Sequence, residues 1–234
     1  MGRSRLPCLT PRLPAEYGPP MERTVVCISA SDGAAGEQIA PLVASRLGYP
    51  LVDEQIVLRA AEEAGVGAEV VADVEQRRSL IERLLAQLPA TAAAAPLAGY
   101  VPLAHTEPGP AGDQLRGLIR SAIEEIGDRG SAVLVSHAAS LALSRRDGVL
   151  RVLITGSEEE RRARLGRERG VDEREAAKLL ARGDANRADY FKRFYGIGAE
   201  LPTHYDLVLN SDRLGPEEAA EIVVHATGAR RTAD

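Results

Sequence analysis

Aromatic side chains are scarce in this chain. It has no tryptophan and only two phenylalanines among 234 residues, so aromatic platforms on which single-stranded nucleic acid stacks are not expected. The core must therefore be built mainly from Leu, Val, Ile and Ala. The net charge of −5 also argues against general nucleic-acid binding, which depends on a basic surface.

Cysteine and long apolar runs are scarce as well. The two cysteines, Cys8 and Cys27, are too few for a disulfide framework, and Cys27 lies in an apolar run where a small core residue is typical. No apolar run reaches the roughly 20 residues of a membrane-spanning helix, and the arginine-containing N-terminus lacks the apolar segment of a secretory signal. The sequence predicts a cytoplasmic protein with no membrane or nucleic-acid partner, and it indicates no particular protein partner.

The most informative stretch combines a buried strand, a small-residue loop and a helix. The β-branched, apolar run 25–29 predicts the strand, and Ile39, Leu42, Val43 and Leu47 recur at helical spacing. This order directs backbone N–H groups and a helix N-terminus at a phosphate. The candidate cofactor-binding residues are Ser31, Gly33, Ala34, Ala35, Gly36, Glu37 and Gln38.

The loop departs from the phosphate-binding pattern G-x-x-x-x-G-K-[ST], the P-loop. If Gly36 is the second glycine, Glu37 stands at the lysine position and Gln38 at the hydroxyl position. A carboxylate about 4 Å from a phosphate charge costs roughly 4 kcal/mol at an effective dielectric of about 20. Glu37 therefore points away, or a cation lies between, or the loop no longer binds a triphosphate. An ordinary strand-to-helix turn is the alternative.

Strand-like and helix-like stretches alternate along the chain, which predicts an α/β fold with a parallel sheet between two layers of helices. We expect a single domain over 21–228 between disordered tails at 1–20 and 229–234, with Met21 as a candidate translation start. Predicted strands lie at 25–29, 51–53, 131–135, 149–154 and 206–209, and predicted helices at 37–47, 54–64, 68–88, 113–127, from Ser157, at 172–195 and at 216–226. A long Ala/Pro/Gly-rich segment, 90–112, separates two of the helices, and Asp113 is the predicted cap of the second.

Ligands of such sheets bind beyond the carboxyl ends of the strands. After the fourth strand, residues 161–193 contain eleven basic and six acidic residues, a local charge of about +5. Phosphoryl transfer needs cations around the developing charge and exclusion of water, although a solvated charged helix is the plainer interpretation. Arg161 and Arg164 share a helix face, and Asp184, three residues before Arg187, is expected to fix its guanidinium. The candidate catalytic residues are Arg161, Arg164, Arg182, Asp184 and Arg187.

The order of these parts resembles the cytidylate kinase-like family of the P-loop nucleoside monophosphate kinases. The matching stretches are 28–29, 33–40, 47–48, 52–54, 150–152, 161–164, 184–190, 205–210 and 213–214. The resemblance implies ATP and Mg²⁺ as cofactors, with the ATP phosphates at 33–38 and the adenine loop after Asn210. It also implies a monophosphate acceptor, CMP or dCMP, between Asp53 and an insertion at about 54–128, and a lid at about 161–195 carrying Arg161, Arg164, Arg182 and Arg187.

Two departures from the family pattern remove expected cations. Glu37 replaces a basic residue, and Ser136-His137-Ala138 replaces Gly-Arg-Gly after the third strand. His137 substitutes for a cation only when protonated; otherwise it is a strand-end histidine. Asp53 is either a substrate or metal-positioning acid or the cap of the next helix.

No metal-ligand spacing links the histidines, and Ser29, Ser31 and Asp32 either hold Mg²⁺ or merely end a strand. The alternatives to a nucleotide kinase are a catalytically inactive relative with a regulatory role and a kinase for a non-nucleotide acceptor.

Overall fold

A computed structural model describes residues 25–53, 110–136 and 139–228. The predicted helices at 54–64 and 68–88, most of the segment 90–112, His137 and both predicted tails lie outside these ranges. The strands are β1 (Val25–Ala30), β2 (Leu51–Asp53), β3 (Ala132–Val135), β4 (Val149–Thr155) and β5 (Leu207–Asn210). The helices are α1 (Gly36–Leu47), α2 (Pro110–Arg129), α3 (Ala139–Ala142), α4 (Glu158–Arg169), α5 (Glu173–Tyr195) and α6 (Pro216–Ala226), with a short 3₁₀ helix at Pro202–His204.

The five strands form one parallel sheet in the order β2-β3-β1-β4-β5. β1 lies at the centre, and its residues Val25 to Ser29 are at most 1% exposed. The continuous apolar run predicted such a strand, because a parallel strand covered on both faces has no polar side. All five carboxyl ends lie at one edge, so residues that follow β1, β3 and β4 come together there.

Helices cover both faces of the sheet, as the alternation predicted. Val26 and Ile28 belong to the core cluster that α1 and α6 close with Val43 and Val223. Because side chains alternate along a strand, Cys27 faces the other side, where α3 contacts β1 and α2 contacts β3. The predicted three-layer α/β fold is confirmed.

The prediction that Asp113 caps α2 is wrong. The helix begins at Pro110, three residues earlier, and runs to Arg129. Proline is well tolerated in the first turn because its missing N–H has no helical partner there. At the other end, an ion pair from Arg129 to Glu125 at 3.1 Å supports the last turn before Gly130, whose φ is 74°.

α4 and α5 form a helical hairpin joined by residues 170–172. The Ser157 side chain accepts a hydrogen bond from the Glu160 N–H at 3.3 Å, and Asp172 accepts one from Glu175 at 2.8 Å. These are the helix starts that the sequence predicted. Within the described ranges, no helix is long and apolar enough to cross a membrane.

Candidate functional site

The loop between β1 and α1 folds tightly over the end of the central strand. The Ser31 N–H donates to the Ile154 carbonyl at 3.0 Å, and the Ala34 N–H donates to the Ser31 carbonyl at 2.9 Å. Gly33 and Ala35 have φ values of 71° and 64°. A Cβ on Gly33 would lie 2.3 Å from the Arg161 carbonyl oxygen, so only glycine fits there.

The loop leaves several backbone N–H groups free while its two alanine side chains turn inward. Ala34 and Ala35 are buried in the core that α1 shares with the sheet. The N–H groups of Gly33, Ala35, Gly36 and Glu37 have no acceptor among residues 25–53, 110–136 and 139–228. These free N–H groups lie at the start of a twelve-residue helix, the kind of position at which proteins commonly bind anions.

Three arginines bind the carbonyl oxygens of this loop and of the strand end. Arg161 Nε donates to the Asp32 carbonyl at 2.8 Å, and Arg164 Nη1 donates to the Gly33 carbonyl at 2.5 Å. The prediction that these two arginines share a face is therefore confirmed. Arg187 Nη1 donates to the Ala30 carbonyl at 3.2 Å. The arginines of the α4–α5 hairpin hold the loop's backbone, a contact that no sequence pattern reveals because the acceptors are carbonyl groups.

The predicted pairing of Asp184 with Arg187 is wrong. Asp184 accepts from Arg161 Nη2 at 2.5 Å, because it faces α4. Arg187 lies deeper, where it donates to Ser29 Oγ at 2.7 Å and packs 5.0 Å above the Phe191 ring.

Glu200 is the carboxylate that pairs with Arg187. It accepts from Nε at 2.8 Å and from Nη2 at 2.6 Å, a two-pronged contact between side chains that are 8% and 18% exposed. The Tyr205 hydroxyl donates to the same carboxylate, and burial, followed by the Glu200 charge, raises the pKa of Tyr205. Sequence reasoning missed Glu200; the only signal was that a buried arginine requires an acidic partner.

Arg182 differs from the other arginines because its side chain is exposed. No hydrogen bond or ion pair joins it to any residue in the described part of the chain. Its neighbour Gly183 lies against the loop, since a Cβ there would be 2.0 Å from Asp32 Oδ2. Arg182 is thus carried on the turn of α5 that passes the loop.

Acidic groups lie on the side of the loop where α1 begins. Burial raises the pKa of Glu37, and the nearby charges of Glu168 and Asp32 raise it further, while Arg169 partly offsets the rise. Gln38 Nε2 donates to Glu168 Oε1 at 3.3 Å. Among the described residues, no group of three or more His, Cys, Asp or Glu side chains is arranged to hold a metal ion.

The remaining candidate residues lie at the ends of other strands. Asp53 ends β2 and is 3% exposed, opposite Val135 of β3. Asn210 ends the edge strand β5, where its side-chain oxygen accepts the Asp212 N–H at 2.9 Å. His137 lies outside the described residues. A cleft joins the loop to the end of β3 and to α4, and it is lined by Ile28, residues 30–37, Val135, Ser136 and Glu168.

Comparison with known proteins agrees with this geometry. A sequence model of the cytidylate kinase-like family matches residues 25–213. The structure is similar to that of an uncharacterized protein from Eubacterium ventriosum ATCC 27560, with a TM-score of 0.59 and 16% identity over 89% of this chain and 100% of that one. Structures of TT1252 from Thermus thermophilus (TM-score 0.47, 19% identity, 88% and 96% covered) and of shikimate kinase from Bacteroides thetaiotaomicron (TM-score 0.44, 13% identity, 86% and 94% covered) are more distant.

No protein with a curated description matches the chain in sequence. The family match nevertheless extends over residues 25–213, from the central strand to beyond the last strand of the sheet. It includes the loop, both helices of the hairpin and the arginines that connect them. This chain therefore belongs to the cytidylate kinase-like family.

Proposed function

We propose that this protein is a phosphotransferase that moves the γ-phosphate of ATP to a nucleoside monophosphate, with CMP or dCMP as the acceptor. One observation carries the proposal: four N–H groups at the loop and the first turn of α1 lack an acceptor in the described chain. Because the chain belongs to the cytidylate kinase-like family and such N–H groups suit an anion, we propose that they bind the phosphates of the nucleotide.

The backbone of the loop suits a nucleotide phosphate chain, whereas one side chain, Glu37, opposes its binding. The free N–H groups of Gly33, Ala35 and Gly36 supply donors, and the positive end of the α1 dipole favours an anion. The Glu37 carboxylate opposes binding when it is charged. Mg²⁺ would arrive with the nucleotide and be held mainly by its phosphates, since Mg²⁺ typically uses one or two protein ligands there; we propose Ser31 and Asp32 for that role. The ion would neutralise charge on the phosphate oxygens.

The chain's own residues have positional and electrostatic roles in this proposal. The loop N–H groups orient the phosphates, and Arg161, Arg164 and Arg187 fix the loop and the strand end through their carbonyl groups. Arg182 is our candidate for the guanidinium that meets the developing charge, because it is exposed on the turn of α5 beside the loop. Asp184 positions Arg161.

We assign the remaining candidate residues to the two ligands. Asp53 and His137 would bind the acceptor beyond β2 and β3, next to the region 54–128. Asn210 and the residues after it would contact the adenine. The hairpin over 161–195 would act as the lid that excludes water.

Transfer of radiolabelled γ-phosphate to CMP, dCMP, UMP, AMP, GMP and shikimate tests the proposal. CMP or dCMP should be phosphorylated fastest, and shikimate represents the non-nucleotide acceptors. Arg182→Ala should lower kcat at least about 100-fold without loss of stability, since this exposed side chain has no partner in the described chain. Arg174→Ala, another exposed arginine of α5, is the matched control. Absence of transfer to every acceptor would refute the proposal.

A second candidate is a catalytically inactive relative that binds a nucleotide or a protein in a regulatory role. The acidic Glu37 in the loop, with its raised pKa, favours this alternative. Nucleotide binding with no transfer, equal in the wild-type protein and in Arg182→Ala, would support it.

A further inference from the structure

The charges around the loop are unevenly paired. Arg161 is neutralised by Asp184 at 2.5 Å, and Arg187 by Glu200 at 2.6 Å. Neither pair therefore adds a full positive charge to the anion site. The carboxylate of Glu37 occupies the position where a lysine reaches the phosphates in a P-loop, with Arg169 and Glu168 of α4 both near enough to shift its pKa in opposite directions.

Arg164 is the exception among the arginines that hold the loop. Its guanidinium donates to three neutral oxygens: the Gly33 carbonyl at 2.5 Å, Ser211 Oγ at 3.3 Å and the Ser211 carbonyl at 3.1 Å. Within residues 25–53, 110–136 and 139–228, no carboxylate lies within ion-pair distance of it. The side chain is half-buried, so its charge is less screened than that of an exposed residue.

The contacts of Arg164 also fix its position. The Ser211 N–H and Oγ both donate to the Thr155 carbonyl, at 2.8 and 3.1 Å, which anchors Ser211 to the end of β4. Arg164 thus connects two parts of the proposed nucleotide site. It joins the Gly33 carbonyl, in the loop proposed to bind the phosphates, to the segment after β5 that is proposed to contact the adenine. A planar guanidinium makes such a fork of contacts, whereas an ammonium group does not.

We propose that Arg164 is a positioning residue that supplies, from α4 and through its contact with the Gly33 carbonyl, the positive charge that the loop lacks at Glu37. The inference rests on the proposed function only in taking the ligand of the loop to be an oligophosphate. By holding the Gly33 carbonyl, the guanidinium fixes the loop, and its unpaired charge raises the electrostatic potential at the loop's free N–H groups.

Titration calorimetry of the full chain with inorganic tripolyphosphate tests the inference without a contribution from adenine or acceptor. Arg164→Met should bind at least about tenfold more weakly than the wild-type protein, and Arg164→Lys should fall between them. Arg162→Met is the matched control in α4, because Arg162 pairs with Glu173 at 3.2 Å; it should bind like the wild-type protein.

Relocating the charge separates an electrostatic role from a merely structural one. Glu37→Lys should raise the affinity of the wild-type protein for tripolyphosphate about tenfold or more and should restore binding to Arg164→Met. If Arg164→Met does not fold, an unchanged affinity in the Glu37→Lys single variant overturns the inference.

Three further results would overturn it: no binding of tripolyphosphate by the wild-type protein, equal binding by Arg164→Met and Arg162→Met, or no rescue in a double variant that melts like the wild-type protein. The proposed function fails separately, if tripolyphosphate binds as expected but no acceptor is phosphorylated.

Discussion

Replacing Glu200 with alanine removes the carboxylate that neutralises a buried arginine. The Arg187 side chain is only 8% exposed and contacts Glu200 at 2.8 and 2.6 Å. Breaking a buried pair by removing one partner costs about 3–5 kcal/mol, because an uncompensated charge is left behind. Tyr205 also loses the Glu200 acceptor of its hydroxyl. We expect the free energy of unfolding of Glu200→Ala to fall by about 3–5 kcal/mol, a large part of the usual 5–15 kcal/mol.

Urea denaturation at neutral pH measures this loss. Glu221→Ala, an exposed glutamate of α6, is the control and should change stability by about 0.5 kcal/mol or less. The double variant Arg187→Met/Glu200→Ala should be more stable than the sum of the two single changes predicts, since it buries no unpaired charge. A Glu200→Ala variant within about 1 kcal/mol of the Glu221→Ala control would refute the assigned pairing.

Gly33, Cys27 and Glu37 each give a further test. Gly33→Ala should destabilise the protein by more than Gly48→Ala, for which about 1 kcal/mol is expected, and it should abolish tripolyphosphate binding. Both glycines have positive φ, but only at Gly33 would the added Cβ meet a backbone atom, at 2.3 Å. Equal urea midpoints for the two variants would contradict this prediction. Burial raises the pKa of Cys27 to about 12 from 9.0, so in a Cys8→Ser background a thiol reagent at pH 8 should react only as fast as the protein unfolds, and rapid native-state labelling would show that the thiol is accessible. The raised folded-state pKa also means that stability is lost as the pH rises from about 9 toward 12. Burial, Glu168 and Asp32 raise the pKa of Glu37 and outweigh the opposing effect of Arg169, so anion binding should strengthen as the pH falls from 7 through that pKa. Glu37→Gln should flatten this calorimetric pH profile, and an unchanged profile would exclude Glu37 as its source.

The elements of this fold could be read from the sequence because their signals are local. The apolar run that begins at Val25, the cap at Ser157 and the helical spacing up to Tyr195 all depend on neighbours within a few residues. The alternation of strands and helices then restricted the architecture to a parallel sheet with covered faces. The predicted start of α2 was wrong because Asp113 and Pro110 are both residue types that favour a helix start, and the sequence alone does not show which of the two prevails.

The partners of the arginines could not be read in the same way. Asp184 and Arg187 have the spacing of a helical ion pair, yet tertiary packing separates them and gives Arg187 to Glu200, 13 residues further on. Local spacing contributes only about 0.2–0.5 kcal/mol to such a pair, so burial of Arg187 beneath β1 decides the outcome. The contacts of Arg161 and Arg164 with loop carbonyls are invisible to sequence analysis because every residue carries a carbonyl group.

The proposed function requires that the loop after β1 binds the phosphates of ATP for transfer. Isothermal titration of the full chain with ATP, in the presence and absence of Mg²⁺ and of CMP, tests it most directly. We expect micromolar binding that requires Mg²⁺ and tightens when CMP is present. No heat with ATP under any of these conditions would contradict it and would leave a protein with the kinase fold whose loop does not bind a nucleotide.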